Sequence, residues 1–291
     1  MSRPDGTAVV LLHALALDSG MWRECAAALT ARGRRVLPFD QRGFGGTPLG
    51  EEPPSLDTVA DDVVRTLDRE GIERAVLAGC SMGGYVALAA LRRHPHRVSA
   101  LALFNTRAAA DSPETAAGRL AFAERIVRAD LRESLIAATT PLLVGATTRA
   151  TRPGLVASLL DTVRGADPAA VAWAQRAIAA RPDERPAAPV GVPAVVVAGA
   201  EDGLVDLAES RETAAALGAG DPVVVADAGH LLPLERPEAA AELIAALIDR
   251  VDGAVPAPGP DTAGAHQMYE DITETGRTAS RGRSEEGAWA C

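Results

Sequence analysis

Lysine is missing from the 291 residues, and all 29 basic side chains are arginine. That absence excludes a Schiff-base lysine, a serine–lysine dyad and a phosphate-binding P-loop lysine together. Cysteine is scarce: Cys25, Cys80 and Cys291 form no CxxC pair, so neither a disulfide framework nor a thiolate zinc site is expected. The five histidines are scattered, and His94-Pro95-His96 has no further ligand beside it, so no metal is expected. Positive charge is outweighed, with a net charge of −10, which argues against a nucleic-acid binder because no basic patch is available to displace counterions from phosphate.

Long apolar runs are also absent. Nothing approaches the roughly 18 uninterrupted apolar residues of a membrane span. The opening "MSRPDGTAVVLLHALAL" passes into strand-like residues without a basic region or a cleavage site, so no signal peptide is expected and the cytoplasm is the expected compartment. Aromatic residues make up only 3% of the chain. Trp22, Phe44, Tyr85, Phe122 and Trp173 are candidates to line a pocket, although rings of this size more often serve packing.

What the chain has is a large apolar fraction, 47%, arranged in short runs bounded by turn residues. They are "AVVLLH" (8 to 13), "RRVLPFD" (34 to 40), "RAVLAG" (74 to 79), "VSALALFN" (98 to 105), "PAVVVAGA" (193 to 200) and "PVVVADAG" (222 to 229). Near-continuous apolarity is what strands covered on both faces require. Helix-like segments alternate with them, at about 21–32, 55–70, 82–93, 206–217 and 237–250. The fold class expected is α/β, a mostly parallel central sheet with helices on both faces.

The alternation stops between residues 107 and 189. Helical spacing there (Leu120, Ile126, Val127, Leu131, Leu135) and the lack of a convincing strand predict a helical lid inserted into a core of residues 1–106 and 190–251. The stretch carries slightly more arginine than Asp plus Glu inside an acidic protein, which suits a small anionic substrate. From 252 to 291 apolar periodicity gives way to Gly, Pro, Ser and charge, and a disordered tail is expected. Terminal Cys291 is expected to be exposed.

Chemistry enters at "VLAGCSMGGY", residues 76 to 85. Gly79-Cys80-Ser81-Met82-Gly83 fits GxSxG between a strand and a helix. In such an elbow the chain turns so sharply that residues two before and two after the nucleophile must be tiny. Gly79 and Gly83 meet that demand for Ser81; for Cys80 the same positions would be Ala78 and Met82, and the methionine would clash. Ser81 is therefore the candidate nucleophile, and a plain glycine-rich packing turn is the blander reading.

A free serine needs a base, and the base needs an orienting acid. His94 and His96 sit where the helix after the elbow stops, His266 lies in the tail, and His13 ends the first strand as a loop-shaping residue. His230 follows the last strand in "VVVADAGHLLPLERPE" and is the candidate base. Asp202 follows "AVVVAGA" at another carboxyl strand end and is the candidate acid; Glu201 and Asp206 are neighbours, and Asp227 is too close to His230 along the chain. The alternative acid position, at the end of the strand after the elbow, reads "LFNTR" and holds Asn105 rather than a carboxylate.

The order Ser81, Asp202, His230 resembles that of α/β-hydrolases. "LLHALALDSGMW" (11 to 22), "DQRGFGGT" (40 to 47), "GCSMGGY" (79 to 85) and "AGHLLPLERPE" (228 to 238) carry the resemblance. Residues 8 to 106 and 190 to 250 are similar to compact lidded members of that family, such as 3-oxoadipate enol-lactonases, carboxylesterases and cofactor-free haloperoxidases. The resemblance implies an oxyanion hole from the backbone N–H groups of Met82 and Leu15, hydrolysis of a small carboxylic ester or lactone, and no cofactor. Carbon–carbon bond hydrolysis, perhydrolysis with halogenation, a cyclase or lyase step, and non-catalytic ligand binding are the alternatives the fold leaves open. One departure stands out: the family usually has His-Gly at the first loop, and this chain has His13-Ala14. An alanine is silent there if its φ is ordinary and costly if φ is positive. Asp40, Arg42 and the glycines of "DQRGFGGT" are expected to brace this loop.

Overall fold

The computed structural model describes residues 6–185 and 191–253. Six parallel strands form one sheet in the order β2-β1-β3-β4-β5-β6. They are β1 (Ala8–Leu12), β2 (Val36–Phe39), β3 (Ala75–Cys80), β4 (Val98–Phe104), β5 (Ala194–Gly199) and β6 (Val223–Val225). Alternate side chains along each strand feed opposite faces. Val10, Leu12, Leu77, Leu101, Leu103 and Val196 pack on one face with α2 (Leu56–Arg69), α3 (Met82–Arg93) and α9 (Leu207–Leu217). Val9, Leu11, Val76, Ala78, Phe104 and Val197 pack on the other with α1 (Arg23–Ala31) and α11 (Pro237–Val251). Each fully buried Val or Leu contributes about 1.5–3 kcal/mol, so a sheet apolar on both faces is stable only when both are covered.

The α/β class and the parallel sheet thus agree with the sequence, and the differences lie at the ends. β1 stops at Leu12 because His13 turns out of the ladder to hydrogen-bond the neighbouring loops. β6 keeps only three residues of the expected run and is half-buried at the sheet edge, since Asp227 takes a φ of 51° and turns the chain away.

Between β4 and β5 the chain is helical: α4 (Pro113–Ile126), α5 (Ala129–Thr139), α6 (Ala146–Thr151), α7 (Pro153–Gly165) and α8 (Pro168–Ala179). The apolar spacing over 120–135 belongs to two helices, not one, with Ile126 and Leu135 buried but Leu120 and Val127 exposed. A short α10 (Leu232–Glu235) precedes α11. No described helix is long and apolar enough to cross a membrane. The expected tail and Cys291 fall outside the described residues, apart from positions 252 and 253.

This topology fixes where side chains can meet. From β1 the chain first moves outward to β2, then returns to build β3 and the rest on the other side. The crevice outside the carboxyl ends of β1 and β3 lies at that reversal, the usual position for a site on an open parallel sheet. The loops after β1, β3, β5 and β6 all open on the same edge.

Candidate active site

Ser81 sits between β3 and α3 with φ 53° and ψ −116°, backbone angles that an L-residue adopts only under constraint. The constraint is visible. Ser81 N–H donates to the Phe104 carbonyl at 3.0 Å, and Thr106 Oγ1 donates to the Ser81 carbonyl at 2.9 Å. A Cβ at Gly79 would stand 2.3 Å from the Gly83 carbonyl oxygen, and one at Gly83 only 2.1 Å from that of Leu12. Only glycine fits either place, as the elbow reading requires. Cys80 ends β3 fully buried on the opposite side, its Sγ 3.5 Å from the His230 carbonyl oxygen. It is packing rather than an exposed thiol.

His230 and Asp202 come together at the same edge. His230 Nδ1 lies 2.9 Å from Asp202 Oδ2, and both side chains are only 1% exposed. An ionised carboxylate only accepts, so the proton sits on Nδ1 and Nε2 is the ring's acceptor nitrogen. Asp202 is held from three further sides: Oδ1 accepts from Leu204 N–H at 2.8 Å and Val205 N–H at 3.2 Å, and Oδ2 accepts from Asn105 Nδ2 at 2.9 Å. Asn105 also donates to the Gly229 carbonyl at 2.6 Å and accepts from Gly199 N–H at 3.2 Å. One amide at the end of β4 therefore ties together the loops carrying Asp202 and His230.

The neighbouring acids and the other histidines have separate employment. Glu201 accepts from Thr147 N–H at 2.8 Å at the start of α6, while Asp206 and Glu209 form a reciprocal cap on α9. His94 Nε2 pairs with Asp61 at 2.7 Å, far along α3 from the elbow, and His96 is exposed. His266 lies outside the described residues. His13 Nδ1 meets the Ala14 carbonyl at 2.8 Å and its Nε2 accepts from Gln41 N–H at 3.0 Å, so it shapes the loop after β1 as a neutral ring. Burial pushes its pKa below the ordinary histidine value, against weaker opposing pulls from the Ala14 carbonyl, Asp40 and Asp18.

Ala14, where the family usually has glycine, has no positive φ; the residue that does is Ala16, at 62°. The change to alanine at position 14 therefore costs no backbone strain. Leu15 follows on the loop after β1, and Met82 opens α3 on the far side of the elbow. Neither N–H has a hydrogen-bond partner among the described residues. Asp40 braces this loop by accepting from Ser19 N–H at 2.7 Å, and Arg42 is held by Asp62 and Glu52 at 2.8 and 2.7 Å.

Leu15 and Ala16 form one end of a small pocket whose other walls come from the helices between β4 and β5. Ser81 is not among its lining residues. Of the five aromatic candidates only Phe122 lines it; Trp22 and Tyr85 are buried in the core, Phe44 lies against His13, and Trp173 Nε1 donates to the Glu52 carbonyl. The helices are fastened to the site by Glu235, a buried carboxylate that the sequence did not single out. It accepts from Gly229 N–H at 2.9 Å, from Gly145 N–H at 2.9 Å and from Thr148 Oγ1 at 2.6 Å. Gly229 immediately precedes His230, so one side chain positions both the histidine loop and α6.

This chain matches known proteins over most of its length. A sequence model described as the alpha/beta hydrolase fold matches residues 7–237. A pimeloyl-[acyl-carrier protein] methyl ester esterase of Aromatoleum aromaticum is 40% identical over 106 residues, 36% of this chain and 38% of that protein. The chain spans about two fifths of the length of the first curated relatives it matches. A longer match, 27% identical over 231 residues, covers 79% of this chain and 84% of 3-oxoadipate enol-lactonase 1 of Acinetobacter baylyi. Among solved structures, a thermophilic esterase from Thermogutta terrifontis, with malate bound, superposes with a TM-score of 0.79 at 32% identity, over 84% of this chain and 90% of that one. The six-stranded parallel sheet and a family match spanning most of the sequence lead to one conclusion: this chain belongs to the α/β-hydrolase fold family.

Proposed function

We propose that the protein is a serine hydrolase of small carboxylic esters or lactones, with Ser81 as nucleophile, His230 as base and Asp202 as the acid that orients it. His230 Nε2 takes the Ser81 hydroxyl proton as Oγ attacks the carbonyl carbon. The oxyanion that forms is held by the N–H groups of Met82 and Leu15, each worth about 3–4 kcal/mol in the transition state. Collapse expels the alcohol, which leaves with the proton from His230. Water, deprotonated by His230, then attacks the acyl-serine and releases the acid. Nothing in this cycle calls for a cofactor.

The observation that carries the reading is the Ser81 backbone, held at φ 53° between glycines that admit no side chain. A chain holds an uncommon conformation of this kind, costing about 1–3 kcal/mol, where its surroundings enforce it, and such places cluster at active sites. The 2.9 Å contact between His230 and Asp202 supports the assignment of base and acid. The helices of residues 107–189 are read as a lid over the substrate. Their surplus of arginine supports an anionic substrate, and buried Cys25 and Cys80, neither of them in a disulfide, suit a reducing cytoplasm.

Ser81→Ala tests the reading against a panel of small esters and lactones. The reading requires that turnover falls by about 10⁴-fold or more. An undiminished rate would remove Ser81 from the chemistry.

A further inference from the structure

One buried carboxylate gathers the base of the helices between β4 and β5. Asp111, in the loop after β4, lies 2.5 Å from Arg119 Nε of α4 and 2.8 Å from Nη1 of Arg181, just past α8, and all three side chains are at most 1% exposed. Arg119 Nη1 also donates to Gln175 Oε1 at 3.2 Å, and Gln175, on α8, is fully buried. The Arg181 guanidinium stacks over the Tyr85 ring at 4.1 Å, and its other bonds go to the Ile178 and Ala109 carbonyls at 3.1 and 2.8 Å. The cluster thereby ties α3, α4, α8 and the loop after β4 together.

Charge within it does not cancel. Burial pushes the Asp111 carboxyl up, and the two guanidiniums outweigh it and hold it below the ordinary carboxylate range. A guanidinium stays protonated, so two cations face one anion. Asp183 also acts on Arg181, but it is exposed and paired with Arg185, and it brings no net negative charge. Hydrogen bonding is as one-sided. Among the described residues Arg119 Nη2, Arg181 Nε and Gln175 Nε2 have no acceptor and the Tyr85 hydroxyl has no partner, while the one acceptor of the cluster without an aligned donor is Asp111 Oδ1. A buried excess of positive charge is costly unless an anion offsets it, and buried N–H groups are costly unless something accepts from them.

We propose that the cluster binds a small monovalent inorganic anion of the chloride class, received by the N–H groups of Gln175 Nε2 and Arg119 Nη2. Gln175 lines the small pocket beside Leu15, whose volume is about 40 Å³. A water molecule needs about 10–15 Å³, so this space admits one such ion and is too small for a carboxylic acid of several carbons. Phe122 and Val171 on the same walls are apolar, which favours a weakly hydrated ion over fluoride or sulfate, because less hydration is lost on entry. Water alone would accept from the amide and leave the charge. The ion takes no part in the proposed hydrolysis; it fixes the footing of the helices between β4 and β5. Binding needs no turnover, so the site stands or falls apart from the hydrolase reading.

Thermal melts of the full chain at constant ionic strength, with sodium gluconate exchanged stepwise for sodium chloride, should show Tm rising by about 2–4 °C to a plateau, and bromide should act as chloride does. Gln175→Glu places the missing negative charge inside the cluster and keeps the acceptor for Arg119. Its Tm in gluconate should lie above that of the wild type by a similar amount, and added chloride should leave it unchanged. A wild-type Tm that does not depend on the anion overturns the site, as does a chloride response that Gln175→Glu retains.

A bromide-soaked crystal of the wild type needs no variant. An anomalous peak is expected within hydrogen-bonding distance of Gln175 Nε2 and Arg119 Nη2. Ordered water at that position, with bromide only elsewhere, overturns the anion site and leaves the cluster to be completed by solvent.

Discussion

Asn105 Nδ2 lies 2.9 Å from Asp202 Oδ2, the same oxygen that receives His230 Nδ1. The amide stands where a carboxylate would otherwise be expected, and it serves Asp202 as a donor rather than replacing it. Asn105 has a φ of 49°, a conformation asparagine tolerates better than most residues. Asn105→Gly keeps the backbone and removes the donor. We expect kcat/KM to fall about 10- to 100-fold, the equivalent of one hydrogen bond to a charged group. Asn105→Asp should fall further, because a second carboxylate would face the first. Wild-type rates in both variants would show that Asn105 has no positioning role.

Ala14 and Ala16 make opposite predictions. Ala16→Gly relieves an alanine at φ 62° and should stabilise the protein by about 1 kcal/mol, a rise in Tm of about 2–4 °C. Ala14 is buried and has no positive φ, so Ala14→Gly should lower stability by about 0.5–1 kcal/mol. Thermal melts of the two variants check the signs. Stabilisation by Ala14→Gly would mean that the loop after β1 still needs glycine where the family usually has it.

Burial lowers the pKa of His13 in the folded state, so acid favours the unfolded chain, which binds the proton more readily. The stability His13 contributes is complete above its unfolded value of about 6.5 and is lost as pH falls below it, by up to about 1.4 kcal/mol per pH unit. Urea unfolding at pH 7.5, 6.5 and 5.5 should show this slope in the wild type and a flatter one in His13→Gln. Parallel slopes would contradict the neutral, buried ring.

Glu235 joins the histidine loop to α6 through three accepted hydrogen bonds. In Glu235→Gln an amide NH₂ must face donors where an oxygen stood. A loss of about 3 kcal/mol is expected, seen as a drop in Tm of roughly 6–12 °C, together with a lower kcat because Gly229 is next to His230. An unchanged melting temperature would show that the two segments are held together by packing alone.

The parts of this architecture that the sequence displays are those with a local signature. β3 and β4 are apolar on both faces, and Gly79 and Gly83 bracket Ser81 because no other residue fits against the Gly83 and Leu12 carbonyls. Asn105 and Glu235 leave no such trace. A single asparagine at a strand end and a single glutamate in a short helical turn look like solvated residues until distant backbone comes to meet them. Gly229 stands 124 positions from Asn105, and Gly145 stands 90 from Glu235. The break between α4 and α5 is hidden for a related reason. Exposed Leu120 and Val127 continue the apolar spacing of Ile126 and Leu135 without sharing their burial.

Covalent labelling by a fluorophosphonate probe, with mass mapping of the modified residue, tests Ser81 as the nucleophile most directly. Activated serine is what such a probe requires, and in the proposed mechanism activation depends on His230 held by Asp202. The wild type should give a single adduct on Ser81, and the rate of labelling should be lower by about 10³-fold or more in His230→Ala. Failure to label Ser81, or labelling that is undiminished in His230→Ala, would contradict that mechanism.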